Sequence, residues 1–176
     1  PSQHLKFSCV MGEFGPTNDN WNLSSSPLIV CSPLTGKGGA LSTTTTQLLR
    51  YLPSQDTTQQ QQLSSSSSFD SVNPPCNRTN VVAFLQRGDG VTFGRKAFLA
   101  QQAGAAAVVI GNNTSSPWPY VMKDSKKEAE ALGLTIPVAM IKESDAQQVL
   151  KLYKQYHQQK QEQFQTDETY AISKQE

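Results

Sequence analysis

A chain of 176 residues with a formal net charge of +1 is long enough for one domain with a substantial core, and too short for two large ones. The near-neutral balance excludes nucleic acid as an expected partner, because phosphate binding needs a concentrated basic surface. No apolar run reaches the ~18–20 residues that cross a bilayer, so no membrane contact is expected of this chain itself.

The chain opens on Pro1-Ser2-Gln3, with neither an initiator Met nor a signal-type apolar stretch, and reads as a piece of a longer or processed protein. Pro27–Val30 (PLIV) is the first strand candidate. From Leu41 to about Val72 the composition changes to runs of Thr, Gln and Ser with few large apolar residues. Such a segment buries too little surface to offset its ordering entropy, so 41–72 is expected to be a disordered insertion in one domain spanning 1–176.

Order resumes at residues 81–85 (VVAFL), a β-branched run free of Gly and Pro. Residues 93–103 have helical spacing, with Phe93, Ala97, Ala100 and Gly104 at i, i+4, i+7 and i+11. The mostly Ala face lets this helix approach a sheet closely, and Gly104 suits the left-handed position after its end. Residues 105–110 (AAAVVI) form a continuous apolar run, as a parallel strand buried on both faces requires. Strand, helix and strand make a βαβ unit with an expected right-handed crossover.

Beyond it, Asn112–Lys123 is a loop rich in turn and aromatic residues. Ser125 and Glu128 form a capping box for a short helix that Gly133 ends. Residues 134–141 (LGLTIPVAMI without its first two residues) make another strand, with Pro137 where no N–H is needed. Ser144 and Gln147 cap a last helix whose buried stripe is expected to be Ala146, Val149, Leu150, Tyr153 and Tyr156. Its end past His157 should be solvated, and Thr169–Ser173 reads as a final short strand.

The stretch QRGDGVTFGRKAFLAQQAG, residues 86–104, invites three readings. A dinucleotide cradle needs G-x-G-x-x-G and an acidic residue after the next strand. Here the spacing is G-x-G-x-x-x-G, Asn112 and Asn113 replace the acid, and no Gly-Lys-Ser/Thr follows. Arg87-Gly88-Asp89 spells an adhesion tripeptide, but that role needs an exposed flexible loop, whereas Arg87 ends a buried strand. The glycines are therefore read as turning the strand into the helix.

Nucleophilic catalysis would need a base beside Ser, Cys or Thr. The two histidines, His4 and His157, sit near the chain start and on a solvated helix end, and no carboxylate pair stands out. No active site, metal or cofactor is expected. Cys9, Cys31 and Cys76 form no metal-ligand spacing. In an oxidising lumen Cys31 and Cys76 could pair, whereas in a cytosol all three would be buried thiols. Sequons begin at Asn22, Asn77, Asn112 and Asn113, an excess for a chain with eight Asn, and favour a secretory location.

Taken together, VVAFLQRGDGVTFGRKAFLAQQAGAAAVVIGNN, then Met122, then LGLTIPVAMI resemble the protease-associated (PA) domain family. The matching residues are Arg87, Gly88, Phe93, Lys96, Ala100-Gln101, Ala103-Gly104-Ala105, Asn112-Asn113 and Ile136-Pro137-Val138. Residues ~81–145 match strongly. Residues 1–40 match more loosely, through Phe14-Gly15-Pro16 and PLIVCSPLTG. The turn Asp89–Thr92 departs from the pattern, being a residue longer and lacking a Cys that many members carry there. The low-complexity insertion is the second departure.

The resemblance implies an α/β fold: a compact PA-type domain, small mixed β-sheets with flanking helices around one βαβ core unit. It makes Cys31–Cys76 the only disulfide to draw. It implies a non-catalytic luminal or extracellular module that recognises protein or peptide partners, within a larger protein such as a RING-type ubiquitin ligase or a sorting receptor. The alternative is an accessory domain of a subtilisin-like or intramembrane aspartyl protease. Partner contacts are expected on the loops after the strands, through Arg87, Asp89, Asn112, Asn113, Trp118, Tyr120 and Met122.

Overall fold

The computed structural model describes residues 7–16, 26–51, 81–115, 117–124 and 126–172. Its strands are β1 (Cys9–Met11), β2 (Leu28–Val30), β3 (Val82–Gln86), β4 (Ala107–Gly111) and β5 (Val138–Ile141). The helices are α1 (Thr43–Tyr51), α2 (Phe93–Gln102), α3 (Glu128–Ala131) and α4 (Glu143–Ile172). The five strands form one mixed sheet in the order β1-β5-β4-β3-β2. Strands β2 to β5 run parallel, each beside the next, while β1 closes the far edge antiparallel to β5.

The apolar runs are continuous because both faces of the central strands are covered. Alternate residues divide between two cores. Ala83, Leu85, Val108, Ile110, Val138 and Met140 pack with Leu49 of α1, Ala97 and Ala100 of α2, and Ala129 of α3. Phe84 and Ile141 point the other way, onto Ala146 and Val149 of α4. Helix α4 comes close because β4 ends in Gly111. A Cβ built there would lie 2.7 Å from the Ala146 Cβ and 2.8 Å from Phe84 Cζ.

Helix α2 begins where Thr92 Oγ1 accepts the Arg95 N–H at 3.2 Å. Gly104, with φ of 100°, leads the chain out of it. Its Gln101 ties it to the segment before β5, donating to the Gly133 carbonyl and accepting the Thr135 N–H at 2.7 Å.

Several sequence expectations give way here. The segment beginning at Leu41 is not loop throughout: Thr43–Tyr51 is helix α1. Ser42 Oγ accepts the Thr45 N–H, buried Thr45 Oγ1 accepts the Ser32 N–H, and Leu49 is fully buried. Burial of one leucine contributes ~1.5–3 kcal/mol, which together with a cap outweighs the poor propensity of a Thr run. Residues 52–72 lie outside the described residues. Thr169–Ile172 belong to α4 rather than to a strand, and Ser173 is outside the described residues.

The α4 stripe is buried at Ala146 and Val149 and continues into half-buried Leu150, whereas Tyr153 and Tyr156 are 38% and 55% exposed. A helix of 30 residues runs about 45 Å, whereas the five-residue strands beneath it span about 17 Å, so the helix outruns its sheet. Glu143 opens α4, which places Ser144 inside its first turn rather than at a cap. Asp124 caps α3, its carboxylate accepting the N–H groups of Glu128 and Ala129 at 3.0 and 2.6 Å; Ser125, the expected cap, lies outside the described residues. Cys31 is a free, buried thiol, and the expected Cys31–Cys76 pairing falls on Cys76, which lies outside the described residues.

Candidate partner-binding cleft

The site is built from two loops at the C-terminal ends of neighbouring parallel strands. Arg87 follows β3 directly, and Asn112 follows β4. The Arg87 N–H donates to the Gly111 carbonyl at 2.9 Å, and the Asn112 N–H to the Ile141 carbonyl at 3.0 Å, so both positions are fixed by the sheet. The strand order has no reversal between β3 and β4. The cleft therefore lies between two loops and not at a topological switch.

The Arg87 guanidinium is held on three sides. Its Nη1 donates to Asn112 Oδ1 at 3.1 Å, and its Cζ lies 4.4 Å from the Tyr120 ring centroid and 6.0 Å from that of Phe93. Phe93 and Tyr120 meet edge to face with centroids 6.1 Å apart. Asn112 is 1% exposed and hydrogen-bonded through both ends of its amide: Oδ1 also accepts the Asn113 N–H, and Nδ2 donates to the Thr114 carbonyl. Across the cleft, the Thr92 hydroxyl donates to the Glu128 carboxylate and joins the start of α2 to α3.

These elements enclose about 520 Å³, lined on one wall by Arg87, Gly88, Thr92 and Phe93 and on the other by Asn113, Tyr120, Lys123 and Lys126. Three cations face the space, with Asp124 as the one acid in the lining. That acid is already engaged by two backbone N–H groups, so the cleft presents net positive charge to a ligand.

Of the residues expected to meet a partner, Arg87, Asn113 and Tyr120 line this cleft. Asn112 lies beneath it as a buried bracket. Its sequon amide is buried, whereas that of Asn113 is exposed; Asn22 and Asn77 lie outside the described residues. Asp89 faces the other side of its turn, accepting the Thr35 hydroxyl at 2.6 Å, so the adhesion tripeptide has neither charge free. Trp118 is half-buried against the core, and Met122 is fully buried, so Met122 offers no contact surface. The loop between them carries a cis Trp118–Pro119 bond.

Thr92, Lys123 and Lys126 were not singled out in the sequence, and neither was the role of Lys96. Lys96 is fully buried, with Nζ donating to the Thr35 and Gly88 carbonyls. Burial pushes its ammonium down to about 8 from the ordinary 10.5, opposed by attraction to Asp89. A signal was present: Lys96 stands three residues after Phe93 and four before Ala100, on the helix's inward face. Burial also pushes the Cys31 thiol up to about 12. Among the described residues no group of three or more His, Cys, Asp or Glu side chains is placed to hold a metal ion.

A family model described as the PA domain matches residues 50–149, and the chain belongs to the PA-domain family. PA domains are non-catalytic modules that mediate protein contacts, typically on extracellular or luminal parts of proteins. No curated protein matches the chain. Among solved structures, the chain is similar to a zinc aminopeptidase, BSAP, from Bacillus subtilis, at 34% identity over 40% of this chain and 16% of that one, with a TM-score of 0.33. A second, medium-resolution structure of that enzyme matches at 35% identity over the same shares, with a TM-score of 0.32. Among the described residues no helix is long and apolar enough to cross a membrane.

Proposed function

We propose that this PA domain is a recognition module that takes a protein or peptide segment into the cleft between the Arg87–Thr92 turn and the Asn112–Lys126 loop. The observation that carries the reading is the Arg87 guanidinium, pre-set on Tyr120 by a buried Asn112 at the wall of a concave, cationic space. A preformed cation beside two rings loses little entropy on binding and suits a segment offering a carboxylate beside apolar side chains. The sequons and the family support a luminal or extracellular setting, in a larger protein of the secretory pathway. The resemblance extends that setting to a membrane-anchored RING-type ligase or a sorting receptor.

Selection of random displayed peptides on the chain, followed by titration of those enriched, tests the reading. Exchanging Lys123 and Lys126 for Glu alters only exposed side chains, so the fold should be unaffected. Binding should weaken about tenfold or more and the surviving affinity should lose its salt dependence. If enriched peptides bind the doubly substituted chain as well as the parent, the cleft is not the recognition site.

A further inference from the structure

A lysine ammonium is costly to bury unless its donors are used. Lys96 has no exposed surface, and it spends two donors on carbonyls from separate parts of the chain. One is Thr35, in the loop after β2 and 61 residues away in sequence. The other is Gly88, in the turn after β3, at 3.3 Å. The same two segments are joined again by the bond from Thr35 Oγ1 to Asp89.

That turn needs holding. Gly88, Asp89 and Gly90 have φ of 141°, 55° and 67° in succession, and the middle one is not a glycine. A side chain in the left-handed region costs of order 1–3 kcal/mol and persists where its surroundings fix it. Packing does not fix it at Gly90, where an added Cβ would meet nothing within 4 Å. Within the turn the Val91 N–H reaches the Gly88 carbonyl only at a long 3.4 Å, so the bonds to Lys96 and Thr35 are the ties that hold residues 88–90 from other segments, and this turn supplies Arg87, Gly88 and Gly90 to the cleft wall.

We propose that Lys96 is a positioning residue: by bridging Thr35 and Gly88 from beneath, it latches the Arg87–Gly90 turn in the shape that forms the cleft. The consequence for binding rests on the recognition reading above; the latch itself does not. Of the charges nearby, Asp89 acts on Lys96 from the turn, Lys37 of the Thr35 loop is exposed, and Arg87 is engaged by Tyr120 and Asn112. On α2 itself Arg95 lies over the Phe98 ring, 5.6 Å from its centroid.

Amide hydrogen exchange, read by segment on the full chain, tests the latch without any ligand. In Lys96→Met the segments 33–36 and 87–92 should exchange about tenfold faster or more, with the β3 and β4 amides unchanged. In the parent chain the same two segments should tighten as pH rises past 8, after correction for intrinsic exchange, because opening returns Lys96 to its ordinary 10.5 and must take up a proton; Lys96→Met should abolish that dependence. Should Lys96→Met fail to fold, Asp89→Gly tolerates the same φ and removes the second link, and it must accelerate the same segments to a smaller extent. Unchanged exchange in both segments, or acceleration spread evenly over the chain, overturns the proposal. Loosened segments without any peptide binding would keep the latch and sink the recognition reading; rigid segments with binding intact would do the reverse.

Discussion

Arg87 and Asn112 stand at the ends of adjacent parallel strands and join through one hydrogen bond of 3.1 Å, with the guanidinium laid over Tyr120. Two residues 25 apart in sequence thereby set one wall of the cleft, and each depends on the other. Asn112→Ala orphans the Asn113 N–H and one guanidinium donor, and should cost about 1–3 kcal/mol in urea denaturation. Arg87→Lys keeps the charge but loses the flat contact with the ring, at about 1 kcal/mol. The double substitution Arg87→Ala with Asn112→Ala should cost less than the sum of its singles. Strict additivity would show that the bond contributes nothing.

Gly111→Ala tests how closely α4 approaches the sheet. Its Cβ would fall 2.7 Å from the Ala146 Cβ and 2.8 Å from Phe84 Cζ, a methyl fixed to its helix and a fully buried ring, neither a flexible end that can move aside. Overpacking of this kind costs about 1–3 kcal/mol. The control is Gly133→Ala, where the added methyl meets nothing within 4 Å but the φ of 66° is unfavourable; its loss should be about 1 kcal/mol. Equal or smaller loss at Gly111 would mean that α4 shifts freely on the sheet.

How far these relationships are visible in a sequence depends on how local they are. The βαβ core could be read off because Ala97 and Ala100 repeat along one face and residues 105–110 are apolar without interruption. Helix α1 could not, because Thr43–Thr46 looks like low-complexity chain, and what orders it is contact made by Thr45 with Ser32 and by Leu49 with the core. Lys96 was legible in part: its spacing points it inward, but its acceptors are carbonyls on two other segments, which any sequence supplies. Tyr153 and Tyr156 continue the α4 stripe in sequence, yet they line an open space with Leu28 and Val30 of the edge strand instead of packing into the core. Periodicity reports which side chains share a face and not whether anything lies opposite it.

Two buried groups should shape the alkaline stability profile in opposite senses. Folded Lys96 gives up its proton near 8, against an ordinary 10.5, so between these values the unfolded chain holds more protons. Stability from this group therefore rises as pH increases from about 8 to 10.5. Folded Cys31 keeps its proton to about 12, against an ordinary 9, so above 9 the unfolded chain holds fewer protons and stability falls. Denaturant midpoints should climb from pH 8 to 9 and flatten beyond, where the two oppose. Relative to the parent, Lys96→Met should lose the climb, and Cys31→Ala should extend it past pH 9. A parent curve that falls steadily from pH 8, with Lys96→Met falling in parallel, would show that Lys96 titrates as a solvated amine.

Thiol labelling separates the cysteines by the same physics. Cys9 is exposed on the edge strand β1, whereas Cys31 is buried beside Phe84, whose carbonyl accepts the Cys31 N–H at 2.9 Å. Alkylation proceeds through the thiolate, which burial at Cys31 suppresses twice, by access and by the raised pKa. In the native chain at pH 8, iodoacetamide should modify Cys9 within minutes and Cys31 only at the rate of unfolding, as read by peptide mass mapping. In urea without reductant Cys31 should label as fast as Cys9. If it stays unlabelled in urea until a reductant is added, it is oxidised in the protein that was tested, and the free buried thiol is the wrong description of that position.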